Sequence, residues 1–230
     1  MEIDFWLERW DNGQTGFHQQ AVNPYLAYFY GEKGPAPEQR KALKVFVPLC
    51  GKSKDMLWLA QGGYQVFGVE CSERAVKDFF EENALNYRHA ARDEHALYLN
   101  DAGENKNLSS IEVYQGDFFS LKTDLFEDVS DVFDRASLIA LPVDMRQQYA
   151  DKMAYLLHRG TRILLVTLTY DQSQMGGPPF SVTEEEVNGL YAENFSVTKL
   201  CFKDIIDDEQ RMKDRGLSSL VETVYKIVRL

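Results

Sequence analysis

The chain is expected to form an open α/β fold with a mostly parallel sheet, and three observations carry that expectation. Val45-Phe46-Val47 is a short apolar run, rich in β-branched and aromatic residues, that gives way at Pro48-Leu49-Cys50-Gly51 to helical spacing. A second apolar run, Val66-Phe67-Gly68-Val69, follows that helix and stops at an acidic side chain, Glu70. Near the end, Val197 to Ile205 and Leu220 to Val228 alternate as two strands across a charged connection, which predicts an antiparallel hairpin at one sheet edge.

Strand, turn, helix, strand makes a right-handed βαβ unit, and its first turn lies at the carboxyl edge, where open α/β folds bind ligands. From Ser53 onward Met56, Leu57, Leu59 and Ala60 share one helix side, and Gly62-Gly63 ends the helix where a left-handed residue is needed. A glycine at position 51 lets a ligand approach the backbone. An acidic residue about 20 residues on, at the second strand's end, is where such folds hold the two hydroxyls of a ribose, and Glu70 occupies that place. The fingerprint G-x-G-x-x-G is absent, because the turn reads P-L-C-G-K-S-K. A pyrophosphate needs close backbone approach at several points, so NAD and FAD are disfavoured, whereas a nucleoside without phosphates, such as S-adenosylmethionine, makes no such demand. Taken singly, Gly51 also reads as a plain turn glycine and Glu70 as a solvated strand end.

At 230 residues the chain is long enough for one large α/β domain with a full core. Residues 1–43 form an N-terminal helical or lid segment ahead of an α/β core over 44–230. Lys and Arg number 25 against 36 Asp and Glu, a net charge of −11, and no run of basic residues makes a patch. Such a surface disfavours nucleic acid and anionic membranes as partners. The start, MEIDFWLERW, lacks the pattern of a signal peptide, and no window approaches the ~20 apolar residues of a membrane span. Cys50, Cys71 and Cys201 have no C-x-x-C spacing, which argues against both a disulfide framework and a zinc site. A cytoplasmic, monomeric protein acting on a small molecule is the simplest reading.

Ahead of the first strand, Phe5, Trp6 and Trp10 alternate with charged residues in a short amphipathic helix, and the turn-rich Asn12 to His18 carries Phe17. These aromatics either fold over the carboxyl edge as a lid or plug the open side of the core. Pro24 opens another helix, broken between Gly31 and Pro37. Ser72 caps a helix over Ala75 to Glu82, and Tyr87 to Ser110, with a turn at Asp101-Ala102-Gly103, reads as a polar insertion. Ile111 to Tyr114 is the third strand of this reading and runs into Asp117-Phe118. That carboxylate either accepts from an adenine amino group, with Phe118 over the ring, or caps the next element. Val129 to Phe133 is the fourth strand, ending at Asp134-Arg135, and Arg135 is either a bidentate carboxylate clamp or the structural partner of Asp134 or Asp117. A helix over Asp144 to His158, a buried strand Thr161 to Thr169, a stiff loop through Pro178-Pro179-Phe180 and a capping box at Thr183-Glu184-Glu185-Glu186 follow. No Ser/His/Asp or Cys/His constellation is apparent, and His18 reads as a loop histidine.

Beyond these local signals, the segments WLERWDNGQTGFHQ, VFVPLCGKSKDMLWLA, GVECSE, FDRASLIAL and YDQSQMGGPPF, with the C-terminal strand pair, resemble in order and spacing the thiopurine S-methyltransferase family. The resemblance covers almost the whole chain. It implies a Rossmann-like class I methyltransferase fold with a seven-stranded, mostly parallel sheet, S-adenosyl-L-methionine as cofactor without a metal, and methyl transfer to a small sulfur, selenium or tellurium acceptor. By position it implies Trp6, Trp10 and Phe17 as lid residues of the cofactor and substrate site, with Trp6, Trp10, Leu49, Glu70, Asp117, Phe118 and Arg135 as cofactor contacts and Phe17, Arg135, Pro179 and Arg211 around the acceptor, the two arginines being the catalytic candidates. A non-catalytic S-adenosylmethionine-binding module and a nicotinamide-dependent oxidoreductase are the alternatives: the first would yield no methylated product, and the second is opposed by the missing glycines.

Overall fold

The protein was examined as a computed structural model that describes residues 3–101 and 108–230. The expected turn at Asp101-Ala102-Gly103 lies outside the described residues from Ala102 onward. The chain divides into two compact units, one ending at Phe133 and the other beginning at Asp134.

The first unit begins with helix α1 (Ile3–Asp11), followed by α2 (Pro24–Leu26), which runs on as a wider π turn to Glu32, and α3 (Pro37–Arg40). Asn23 starts α2 by accepting from the backbone N–H groups of Tyr25 and Leu26, and its own N–H donates to the buried Asp55 at 2.8 Å. Strand β1 (Lys44–Val47) leads into α4 (Lys54–Gln61), whose Ser53 cap accepts from Asp55 N–H. Gly63, at φ +97°, turns the chain out of α4 into β2 (Gln65–Glu70), and Ser72 caps α5 (Glu73–Glu82). β1 and β2 pair in parallel, as the βαβ pattern requires. The hairpin β3 (Tyr87–Arg92) and β4 (His95–Asn100), then β5 (Ile111–Gln115) and β6 (Val129–Arg135), complete this unit in the order β3-β4-β5-β2-β1-β6.

Of the stretch read as a polar insertion, Tyr87 to Asn100 is therefore sheet. β4 pairs antiparallel with β5 and buries His95, Tyr98 and Asn100. Its outer neighbour β3 is exposed nearly throughout, so its charged side chains mask the edge to which the alternation of β4 is joined. This hairpin raises the strands among the described residues from the expected seven to nine and makes the pairing more mixed than expected. Between the layers, Phe46, Phe67 and Phe126 meet with ring centroids 4.9 to 5.1 Å apart, each side chain contributing about 1.5–3 kcal/mol by burial.

The second unit contains α6 (Val143–Leu156), β7 (Arg162–Thr169), α7 (Glu184–Tyr191), β8 (Phe195–Asp204), the short helix α8 (Gln210–Asp214) and β9 (Val221–Arg229). β9 lies between β7 and β8, antiparallel to both, so the expected hairpin forms with a helical turn in its connection. Tyr149 and Met153 of α6 are fully buried, as their spacing predicts. Thr183 accepts from Glu186 N–H, but the Glu186 carboxylate turns to Arg146 at 2.6 Å instead of closing the capping box.

Asp134, with no exposed surface, accepts from Tyr149 Oη at 2.8 Å. Burial raises its carboxyl to about 6, against the opposing bonds from Tyr149 and Ser137. A raised carboxyl favours the folded state below the unfolded value of about 4, and this contribution, about 3 kcal/mol, is lost as pH rises through about 6. Asp134→Asn is accordingly expected to flatten the stability loss between about pH 4 and about pH 7. Urea unfolding of both proteins across that range checks it, and parallel pH curves would contradict the assignment.

Candidate active site

At the carboxyl end of the parallel strands, the chain leaves β1 through Pro48-Leu49-Cys50-Gly51, and two of these residues take left-handed backbone: Leu49 at φ +43° and Gly51 at φ +51°. A side chain on Leu49 makes that conformation costly, about 1–2 kcal/mol, and such strain concentrates at ligand sites. The strain is compensated by Glu70. Its Oε2 accepts from Gly51 N–H at 2.9 Å and its Oε1 from Ser72 N–H at 2.8 Å and the Cys71 thiol at 3.3 Å. Burial, with 5% of the residue exposed, raises the Glu70 carboxyl, and the bonds from Ser72, Cys71 and Gly51 oppose the rise. One carboxylate therefore joins the end of β2 to the turn after β1.

Trp10 closes over this turn from α1. A Cβ at Gly51 would lie 3.0 Å from the Trp10 Cζ2, so glycine is required by contact as well as by conformation. Trp10 is buried, Trp6 and Phe17 half-buried, and Phe17 meets both indoles edge-on at 5.3 and 5.6 Å. Arg74 of α5 donates to the Asp11 carbonyl at 2.8 Å and holds the end of α1 against the same rim.

Beside Glu70 stands the turn after β5. Gly116 N–H donates to the Glu70 carbonyl at 2.9 Å, and Gln115 Nε2 to the Cys71 carbonyl at 2.9 Å. Asp117 Oδ1 accepts from Phe119 N–H, so the capping reading is realised with one carboxylate oxygen. Phe118 is buried and stacks toward Phe46 at 6.5 Å, which makes it part of the aromatic layer beneath the turn.

In the second unit, Arg135 ends β6 half-exposed, followed by Ala136 at φ +68°, another left-handed non-glycine residue. Strand alternation sets Arg135 on the face opposite Asp134, which is committed to Tyr149. Pro179 is half-buried, and Tyr170 Oη donates to its carbonyl at 2.6 Å while Arg215 Nη1 donates to that of Pro178 at 3.2 Å. Arg211 lies exposed on α8, beside the cluster of Tyr170, Met175, Leu217 and Leu220 against which Met212 packs. His18 is a half-buried turn residue whose N–H donates to the Thr15 carbonyl.

Two residues escaped the sequence reading. Arg146 is fully buried, donating from Nε to the Leu141 carbonyl and from Nη1 to that of Ser181, with its guanidinium 5.8 Å over Phe180. Its place one turn before Tyr149 and Ala150 put it on the core face of α6, which was the available signal. His95 is buried beneath the Gly116-Asp117 turn, and the apolar run Ala96 to Leu99 after it was its only cue. Burial and then Glu70 push the thiols of the buried Cys50 and the half-buried Cys71 up, which disfavours the thiolate form that a nucleophile needs. No cluster of metal-ligating side chains occurs among the described residues.

The fit to an adenosyl group rests on the same atoms. Oε2 of Glu70, with Gly51 N–H on one side, has a second lone pair for a hydroxyl. Leu49 is half-buried and Gly51, which has no side chain, leaves the backbone of the turn open to the close approach that a sugar needs, so the residues suit the group. A parallel βαβ core with a strand-end carboxylate and an antiparallel C-terminal hairpin defines a class I methyltransferase fold. Magnesium protoporphyrin IX methyltransferase from Synechocystis PCC 6803, solved with bound S-adenosylhomocysteine, matches it over 100% of both chains with a TM-score of 0.63 at 14% identity. The family model for thiopurine S-methyltransferase (TPMT) matches residues 1–230. The thiopurine S-methyltransferase of Bordetella petrii is 43% identical over 231 residues, 100% of this chain and 99% of the relative. That of Pseudomonas putida is 43% identical over 229 residues, covering 100% of both. The chain belongs to the thiopurine S-methyltransferase family, a group of S-adenosylmethionine-dependent enzymes.

Replacing Glu70 with Gln puts an amide N–H₂ where Gly51 or Ser72 needs an acceptor. Bonds to a charged partner are worth about 1.5–3 kcal/mol each, so Glu70→Gln is expected to weaken S-adenosylhomocysteine binding at least about tenfold by calorimetry. Unchanged affinity would remove Glu70 from the cofactor site.

Proposed function

We propose that the protein transfers a methyl group from S-adenosyl-L-methionine to the sulfur, or the selenium or tellurium, of a small aromatic or heterocyclic acceptor, with thiopurines as the test class. The observation that carries this reading is the buried Glu70 carboxylate, joined to Gly51 N–H in the strained turn after β1. When bound, S-adenosylmethionine supplies a methyl group on a positively charged sulfonium.

In this reading Glu70 takes the ribose hydroxyls, Leu49 and Gly51 offer backbone beside them, and Asp117 with Phe118 borders the adenine. Trp6, Trp10 and Phe17, within residues 1–43, form a roof that excludes water. Displacement at a sulfonium disperses charge as the nucleophile approaches, so alignment and a dry site matter more than a strong base, and positioning alone can supply several kcal/mol. A heterocyclic thiol or a selenol ionises near neutral pH and reaches the site already nucleophilic. This agrees with Cys50 and Cys71, whose thiols are pushed up by desolvation and by Glu70, and with a histidine at position 18 placed in a turn. Arg135 and Arg211 hold the anionic acceptor by charge, and Pro179 walls it. The left-handed Ala136 aims the chain away immediately after Arg135 and so keeps that guanidinium at the strand's end.

The free state of Cys50, Cys71 and Cys201 supports a reducing, cytoplasmic setting for this reaction. No helix among the described residues is long and apolar enough to cross a membrane.

Arg135→Ala is expected to lower kcat/KM for methylation of an aromatic thiol by about 10²-fold or more, since a desolvated bond to a charged group approaches 3 kcal/mol. The wild-type assay, run over a panel of thiols and selenium compounds, also tests the activity itself. Binding of S-adenosylhomocysteine with no methylated product from any acceptor would leave a binding module and end the enzymatic reading.

A further inference from the structure

We infer that His95, from the hairpin β3-β4, is a positioning residue for recognition of the nucleobase: it fixes the Gly116-Asp117 turn from below, and the inference rests on the cofactor reading above. The residue is 8% exposed, and it opens β4 on a hairpin added outside the βαβ core. Its Nε2 lies 3.0 Å from the Asp117 carbonyl oxygen and 3.3 Å from Ser120 Oγ. A carbonyl can only accept, so Nε2 carries the proton. Ser120 Oγ donates its own proton to the same carbonyl at 2.8 Å, and the oxygen is held from two sides.

The imidazole also fills the space under Gly116. A Cβ built there would stand 2.5 Å from His95 Cδ2, closer than any side chain tolerates, so the ring and the missing side chain are complementary. On its other face the ring meets Tyr114 edge-on at 6.1 Å. The same turn is held to the ribose carboxylate's strand through Gly116 N–H and the Glu70 carbonyl, 2.9 Å apart. Asp117 therefore has its backbone bound by His95 and Ser120, one side-chain oxygen bound by Phe119 N–H, and a second side-chain oxygen whose direction these bonds set. A carboxylate so directed favours a base that donates an exocyclic N–H and disfavours one presenting a carbonyl at the same place.

The test measures dissociation constants of S-adenosylhomocysteine and its deaminated analogue S-inosylhomocysteine for wild type, His95→Leu and His95→Gln, together with the ligand-free Tm. Leu fills the volume without a donor, and Gln restores an N–H near the position of Nε2. Loss of a bond that organises the turn is expected to weaken S-adenosylhomocysteine binding about tenfold in His95→Leu. The preference for the amino over the oxo base should shrink with it and return in His95→Gln, a pattern that general destabilisation would not produce. A wild-type preference that His95→Leu retains in full overturns the inference, whatever happens to Tm. Failure of wild type to bind S-adenosylhomocysteine at all would instead bring down the cofactor reading on which the inference stands.

Discussion

The carboxylate of Glu70 is the constraint on which the first unit depends. It stands at the end of β2, yet its bonds reach back to Gly51 after β1 and forward to Ser72 at the start of α5. Burying a carboxylate is costly, and the structure accepts that cost because three donors converge on it. Removing the charge would free both the turn that Leu49 enters in a left-handed conformation and the cap of the helix that follows. The carboxylate at the end of β2 is thereby the group that shapes the rim.

Around this centre each element holds another by its backbone. Asn23 is tied to Asp55, the end of α1 to Arg74, and the turn after β5 to Glu70 itself. The aromatic residues of the N-terminal segment then have a fixed floor. Trp10 rests against Gly51 and Phe17 bridges the two indoles, so the three rings form one aromatic cluster.

The second unit shows the same economy around Arg146. Its guanidinium binds the carbonyls of Leu141 and Ser181 together, and Glu186, on which a capping box was expected, neutralises it. Breaking a buried pair of this kind by removing one partner leaves an unpaired charge, which is among the most costly single changes a fold can meet. The Pro178-Pro179-Phe180 loop is held by this arginine, by Tyr170 and by Arg215.

What the sequence determined by itself was the local grammar. Apolar runs of strand length, glycines where the backbone turns left-handed, Ser72 as a cap, and the carboxylate at the end of β2 all depend on neighbours a few residues away. The family followed from segments whose order and spacing persist along the chain. Only the tertiary structure decided that the polar stretch after α5 is a hairpin, because β3 alone lacks a buried face and acquires its place by pairing with β4. It also decided the places of Arg146 and His95, and that Phe118 joins the aromatic layer beneath its turn. A charged or polar side chain is buried only when distant partners satisfy it, and those partners, separated by up to 40 residues for Arg146 and 25 for His95, leave no periodic trace in the sequence.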